Sequence, residues 1–363
     1  MWCYRPIIWT NSSKYRIILN IFENKGSRGM KSFSRAKKYA KYIFMVIIIN
    51  IVIGCFYSIP MVYYGPFKNI REMLVTTAMS TMTHKYIATL FLSDEEINKI
   101  LNKNKVNDNG ESHSSDIKVT ATAAKVTDPR EGIESIKIDN GNLHGNMLII
   151  KDSKRIKLGV SKDIGKFGEK LDDMCNRYGA IAGINAGGFV DDNGQGNGGT
   201  PTGIVVKNGE MVFKDPHIAD EPINTIGFNS DGILVLGKYK YSQIDGKLEE
   251  NKIHDAISFS PFLILNGEPT ITRGNGGGGI NPRTVVGQRK DGAVIFLVID
   301  GRQSFSLGAT LKEVQNIMLE YGAYNAANLD GGSSTTMYYD GKIMNNPCSS
   351  DGIRFITTAF LVE

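Results

Sequence analysis

The sequence predicts an α+β protein: a mixed, mainly antiparallel β-sheet core with a few helices, behind one N-terminal transmembrane helix. Three observations carry this reading. Residues 42–64 form an uncharged apolar run. From about Val119 onward, short runs of alternating apolar and polar residues are separated by Asn-Gly and Asp-Gly pairs. Helical periodicity is sparse in that same region.

The apolar run YIFMVIIINIVIGCFYSIPMVYY, 23 residues, is long enough to cross a hydrocarbon core of roughly 30 Å as a helix. Asn50 is its one clearly polar side chain, and Pro60 with the Tyr63/Tyr64 pair suits the far interface. Before it, residues 1–41 hold ten Lys or Arg against one acid, Glu23. That tail carries +9 of a chain total of +5, leaving −4 for everything after it. The basic balance is therefore a topology signal and gives no support to nucleic-acid binding. The positive-inside rule places the tail in the cytoplasm and the rest outside a cell membrane crossed once. A cleaved signal peptide would have a shorter apolar core and no 40-residue lead-in. A lipoprotein box at Val52-Ile53-Gly54-Cys55 conflicts with the apolar run continuing past the cysteine. An uncleaved anchor is expected.

Residues 65–118 read as a membrane-proximal helical segment and linker. Helix is expected over 68–102, with a capping box at Ser93-Asp94-Glu95-Glu96. The polar stretch 103–116 reads as the linker. The folded domain occupies 119–363. Strands are expected at 133–138, 144–151 and 155–160, a helix near 166–178, and an apolar strand at 180–185. Hairpins are expected at Asn208-Gly209, Asp231-Gly232, Asp291-Gly292 and Asp340-Gly341. One late helix is well marked: Thr310 and Glu313 form a capping box, Leu311, Val314, Met318 and Tyr321 an apolar stripe, and Gly322 the stop. Four cysteines are too few for a disulfide scaffold. Only Cys175 and Cys348 share the outer compartment, and their pairing is open.

The five histidines (His84, His113, His144, His217, His254) show no metal-ligand spacing, and no nucleophile elbow or phosphate-binding loop is present in usable context. The GNGGGG run at 274–279 follows no βα pattern and reads as a mobile loop. Carboxylates are left as the catalytic candidates. Asp-Gly occurs seven times, so most such pairs are turns. Two differ. Asp300-Gly301-Arg302 ends the wholly apolar run 293–299, and Asp330-Gly331-Gly332-Ser333-Ser334 ends the apolar strand 326–329. An acid at the end of a buried strand, followed by glycines that admit a ligand, is a good place for a site. Asn185-Ala186-Gly187-Gly188-Phe189 repeats that logic with an amide. Asn281-Pro282-Arg283-Thr284 opens another strand with an arginine, suited either to phosphate or to a strand-edge salt bridge.

With these segments in view the chain resembles the phosphodiester glycosidase family. The matching elements are INAGGF (184–189), TPTGIVVKNGE (200–210), FSPFLILNGEP (259–269), NPRTVVGQ (281–288), VIDGRQSFSLGATLKEV (298–314) and NLDGGSSTTMYYDGKIMNNP (328–347), over roughly 130–363. The stretch 76–101 also looks like the membrane-proximal part of bacterial members. NLDGGSS has one glycine fewer than many members. The resemblance implies a secreted or membrane-bound hydrolase of a sugar linked through its anomeric carbon to phosphate, and in bacteria a role with exopolysaccharide or cell-wall polymers.

On this reading Asp300 and Asp330 are the acid/base or nucleophile pair, and Arg283 and Arg302 clamp the phosphate. Asn185 and Asn328 hydrogen-bond sugar hydroxyls, Gly187, Gly188, Gly331 and Gly332 offer backbone N–H groups, and Ser333 binds substrate beside them. No cofactor is demanded. A divalent cation held by Asp300 and Asp330 would also suit a phosphodiester, although no ligand spacing requires one. The rivals are a non-catalytic glycan-binding or exopolysaccharide assembly factor and an enzyme that cuts P–O in place of C–O.

Overall fold

The computed structural model describes residues 12–81, 83–119, 128–191, 196–217, 219–244, 253–349 and 352–363, which fall into two units, one up to Lys68 and one from Asn69 to Glu363. In the first, helix α1 (Ser12–Tyr63) contains a span, Lys37–Tyr63, apolar and long enough to cross a membrane. Asn50 is satisfied within it, because its Nδ2 donates to the Val46 carbonyl at 2.8 Å. An amide closed onto its own helix exposes less unmet polarity to lipid.

The second unit opens with three short helices in place of one long stretch: α2 (Lys68–Met79), α3 (Tyr86–Thr89) and α4 (Asp94–Lys103). The break after α2 has a local cause. Thr77 and Ser80 turn their hydroxyls back onto the Met73 and Thr77 carbonyls at 2.7 and 2.8 Å, a competition that weakens a helix end. Helix α4 starts on the expected box, with Ser93 Oγ accepting from Glu96 N and Glu96 Oε2 from Ser93 N.

The stretch read as a linker, 103–116, lies along the domain. Asp108 is buried and accepts from Lys238 Nζ and Asn224 Nδ2, both at 2.7 Å, while Ser112 N donates to Leu236 O. Polar composition marks exposed loops and segments whose polar groups are consumed by a neighbour alike, and sequence does not separate them.

Three antiparallel sheets follow. The seven-stranded one runs, in spatial order, Ile133–Asp139, His144–Ile150, Val294–Ile299, Arg283–Arg289, Ala323–Asn328, Phe262–Leu265 and Glu268–Pro269. A five-stranded sheet is ordered Lys342–Ile343, Met337–Tyr339, Ala182–Asn185, Thr358–Val362 and Ile156–Val160. Another five-stranded sheet is ordered Glu210–Lys214, Ile204–Lys207, Asp255–Ser258, Ile223–Phe228 and Leu234–Tyr239. Leu148 and Phe296, Leu158 and Phe360, and Val205 and Ile226 bring all three into one core, where Phe228 meets Phe360 edge-on at 5.5 Å. Helix α5 (Leu171–Tyr178) covers the second sheet through Met174 and Cys175. Helix α6 (Leu311–Glu320) covers the outer face of the first sheet through Leu311, Val314 and Met318. Cys175 and Cys348 are both free thiols.

Turn chemistry is as the dipeptides predict. Asn208-Gly209 and Asp340-Gly341 have φ of 54° and 77°, and of 48° and 80°, the two left-handed residues that a two-residue hairpin requires. Register then sets the site. Arg283 stands opposite Ile299, and Val285 opposite Asn328. The segments opening with Arg283 and leaving Ile299 and Asn328 therefore meet at one end of the large sheet.

Candidate active site

A cleft of about 860 Å³ opens at that end. Asp330 lies in it, half-buried, with its N–H donating to Ala186 O at 3.0 Å. Burial lifts its carboxyl pKa to about 6, outweighing the Ser334 hydroxyl and the Arg354 charge that favour ionisation. Beside it, Asp191 and Arg354 form a two-pronged pair (Oδ2–Nη1 2.7 Å, Oδ1–Nη2 2.9 Å), and Arg354 also donates to Ser333 Oγ at 3.0 Å. The guanidinium holds Asp191 below the usual carboxylate range. Two neighbouring acids are thus pushed in opposite directions, the pattern that divides roles between catalytic carboxyls. Neither Asp191 nor Arg354 was singled out from sequence. Asp191 stands two residues beyond INAGGF, and Arg354 just before the last strand, so proximity to a motif was the available signal for the first and none existed for the second.

The expected arginine clamp divides. Arg302 is exposed in the cleft with φ of 58°, and Nη2 donates to Asn281 Oδ1 at 2.9 Å. Among the described residues no carboxylate forms a salt bridge with it. Gly332, whose Cβ would only touch this guanidinium at 3.4 Å, has a φ of 61°, and that left-handed backbone is why the loop favours glycine there. Arg283 also lines the cleft, yet it is buried and two of its nitrogens are held by backbone: Nε donates to Ala309 O (3.0 Å), and Nη2 to Gly278 O (2.8 Å) and Gly279 O (2.7 Å). Burial and the nearby Arg302 charge lower its pKa to about 10. Arg283 braces a loop. Arg283→Lys should therefore lower the melting temperature, since one ammonium cannot reproduce three fixed donors. Arg302→Lys should leave melting unchanged and weaken substrate affinity. Melting curves and KM for the two variants check this; equal behaviour would refute the division.

The loop that Arg283 braces is 274–279. It is wedged: a Cβ at Gly274 would sit 2.2 Å from Asn104 Oδ1, and one at Gly279 2.2 Å from Thr77 Cα. Its glycines serve close packing where mobility was expected.

Asp300 does not line the cleft. It is buried, and its Oδ1 accepts from Asn345 Nδ2 (3.1 Å) and Asn346 N (2.9 Å), pinning the 345–346 loop. Burial raises its pKa. The expected pairing of Asp300 with Asp330 on one ligand or ion is not the arrangement found, and among the described residues no three His, Cys, Asp or Glu side chains cluster as metal ligands. Asn185 and Gly187 also lie outside the lining. Asn185 is buried and clamps three segments, donating to Asp330 O at 2.6 Å and accepting from Thr284 Oγ1 and Thr336 N. Gly187 N donates to Thr358 Oγ1 at 3.0 Å. Gly188, Asn328, Gly331, Gly332 and Ser333 do line the cleft. Asn328 Nδ2 donates to Ser260 O at 3.1 Å, while among the described residues its buried Oδ1 has no partner. A buried acceptor left open costs about 1–3 kcal/mol, and a ligand hydroxyl would satisfy it.

The phosphodiester glycosidase family profile matches residues 178–363, about half of the chain, including every one of these loops from Asp191 to Arg354. The chain belongs to the phosphodiester glycosidase family. It is 28% identical over 190 residues to the SPbeta prophage-derived uncharacterized protein YomE of Bacillus subtilis, a match spanning 51% of this chain and 28% of that one. It is 30% identical over 192 residues to the N-acetylglucosamine-1-phosphodiester alpha-N-acetylglucosaminidase of Bos taurus, spanning 49% of this chain and 34% of that one. The chain thus spans about a third of the length of these curated relatives. The catalytic domain of the zebrafish N-acetylglucosamine-1-phosphodiester alpha-N-acetylglucosaminidase, auto-inhibited by pro-peptide, superposes with a TM-score of 0.55 at 22% identity, covering 68% of this chain and 86% of that chain. The phosphodiester glycosidase fold is therefore shared.

Proposed function

We propose that this phosphodiester glycosidase hydrolyses a sugar-1-phosphodiester at the anomeric C–O bond, outside the cytoplasm, tethered by the Lys37–Tyr63 helix. The observation that carries it is the cleft's division of labour: an exposed arginine, Arg302, with no carboxylate partner among the described residues, shares the lining with a carboxyl of raised basicity, Asp330. Phosphate is a good leaving group, so the bond needs charge neutralisation on phosphate more than a proton. Arg302 supplies the charge, and Asp330 takes a proton from the attacking water. The water oxygen bonds to the anomeric carbon, the C–O bond to phosphate breaks with its electron pair, and the phosphomonoester leaves. Asn328 Oδ1 accepts from a sugar hydroxyl.

Turnover in heavy-oxygen water tests this. The label should appear on the sugar. Label on the phosphate would convert the reading to a P–O phosphodiesterase, and binding of the phosphodiester without product would convert it to a glycan-binding protein.

The tether follows from the charge step across α1. Protease added to intact cells should remove the domain after Gly65 and spare the basic tail. A soluble mature protein beginning after the apolar run would refute an uncleaved anchor.

A further inference from the structure

One wall of the cleft comes from outside the stretch that matches the family. Leu74, Thr77, Ser80, Thr81 and His84 line it together with Asp330 and Arg302. This wall is built into the domain. Val75, Thr76 and Ala78 are buried. Asn275 Nδ2 donates to Thr76 Oγ1 (2.8 Å), Ile280 N to Thr77 Oγ1 (3.0 Å) and Asn281 Nδ2 to Ser80 Oγ (3.0 Å).

The last contact continues to the site. A guanidinium has only donors, so Arg302 Nη2 obliges Asn281 to present Oδ1, at 2.9 Å. Nδ2 of the same amide then faces Ser80 Oγ and the Gly278 carbonyl at 2.8 Å. Ser80 in turn gives its hydroxyl proton to Thr77 O at 2.8 Å, leaving a lone pair for Asn281. Each group's donor and acceptor capacity is used in one sense only, so the chain Thr77–Ser80–Asn281–Arg302 has a fixed direction.

We propose that Ser80, acting through Asn281, is a positioning residue for Arg302, so that residues 74–81 help build the anion site. The inference rests on Arg302 being the phosphate ligand. Without the Ser80 hydroxyl, Asn281 Nδ2 loses one of its two acceptors, and the amide is less firmly held. The hydrogen bond that Arg302 Nη2 gives to Asn281 Oδ1 is then no longer fixed in direction.

The test uses the full chain in detergent with inorganic phosphate as probe, titrated calorimetrically, beside steady-state turnover on a sugar-1-phosphodiester. Wild type should bind phosphate, and Arg302→Ala should abolish binding. Ser80→Ala should weaken it about fivefold to tenfold and raise KM by a similar factor with kcat within about twofold, the size expected from one displaced hydrogen bond. Ser80→Thr, which keeps the hydroxyl, should restore both. Unchanged phosphate affinity in Ser80→Ala, with Arg302→Ala defective, would overturn the positioning role and leave Arg302 as ligand. Unchanged affinity in Arg302→Ala would overturn the phosphate reading itself, and the inference with it. Higher turnover in Ser80→Ala would mean that the segment obstructs the cleft, and would also overturn the role proposed.

Discussion

Asp330→Asn should lower turnover at least about 10²-fold, the lower end of what a positioned proton acceptor contributes, while the fold survives. The pH profile gives the sharper reading. With a carboxyl pKa of about 6, kcat/KM of the wild type should rise as pH increases through that value, and this limb should be missing from the variant. Stability moves the opposite way. The folded-state pKa lies above the ordinary 3.8, so the unfolded chain gives up this proton first as pH rises. The contribution of Asp330 to stability is therefore present below about pH 4 and lost as pH climbs through 6. Asn has no proton to lose, so Asp330→Asn should melt at or above the wild-type temperature at pH 7. Asp291→Asn and Asp340→Asn serve as controls. Both are exposed turn residues, and Asn-Gly suits such turns as well as Asp-Gly, so turnover should hardly change. Equal activity in all three variants would sink the assignment of Asp330, and a collapsed fold at position 330 would return it to a structural turn.

Breaking the Asp191–Arg354 pair is the second large effect expected. Both side chains are mostly buried (16% and 12% exposed), and removal of one partner strands the other charge away from water. Arg354→Ala should cost about 3 kcal/mol, a drop of several degrees in a domain of this size. Asp191→Asn should cost less, since it keeps the shape and an acceptor. The double variant Asp191→Asn/Arg354→Ala should be less damaged than the sum of the singles, because no buried charge is left alone. The same changes report on Asp330. The Arg354 charge lowers the Asp330 pKa and the Asp191 charge raises it. Arg354→Ala should therefore shift the activity limb to higher pH, and Asp191→Asn to lower pH. Additive losses of stability together with an unmoved limb would show that the pair does not communicate with Asp330.

Several features could be read from the chain because their causes are local. The apolar run, the Asx-Gly turns at Asn208 and Asp340, and the boxes at Ser93 and Thr310 each depend on residues within a few positions of one another. So does the burial of the uninterrupted strand Val294–Ile299, and from these the α+β class follows. The end of that strand and the end of Ala323–Asn328 were also legible as places where polar residues follow buried ones, which is how Asp330 and Arg302, both in the cleft lining, became candidates. Asp300 satisfies the same local pattern, yet its carboxylate faces Asn345 and Asn346. Arg283 has a phosphate binder's side chain and spends it on backbone carbonyls.

What decided these cases is the direction in which each side chain meets a partner distant in sequence. Asp191 finds Arg354 163 positions away, and Ser80 finds Asn281 201 positions away. Sequence alone determined which segments are strands, turns and the apolar helix, since backbone preference and burial periodicity act over a few residues. Only the tertiary structure decided which acid faces the cleft, which arginine is held by backbone carbonyls, and that residues 74–81 supply a wall, because desolvation and hydrogen bonding depend on what lies opposite in space.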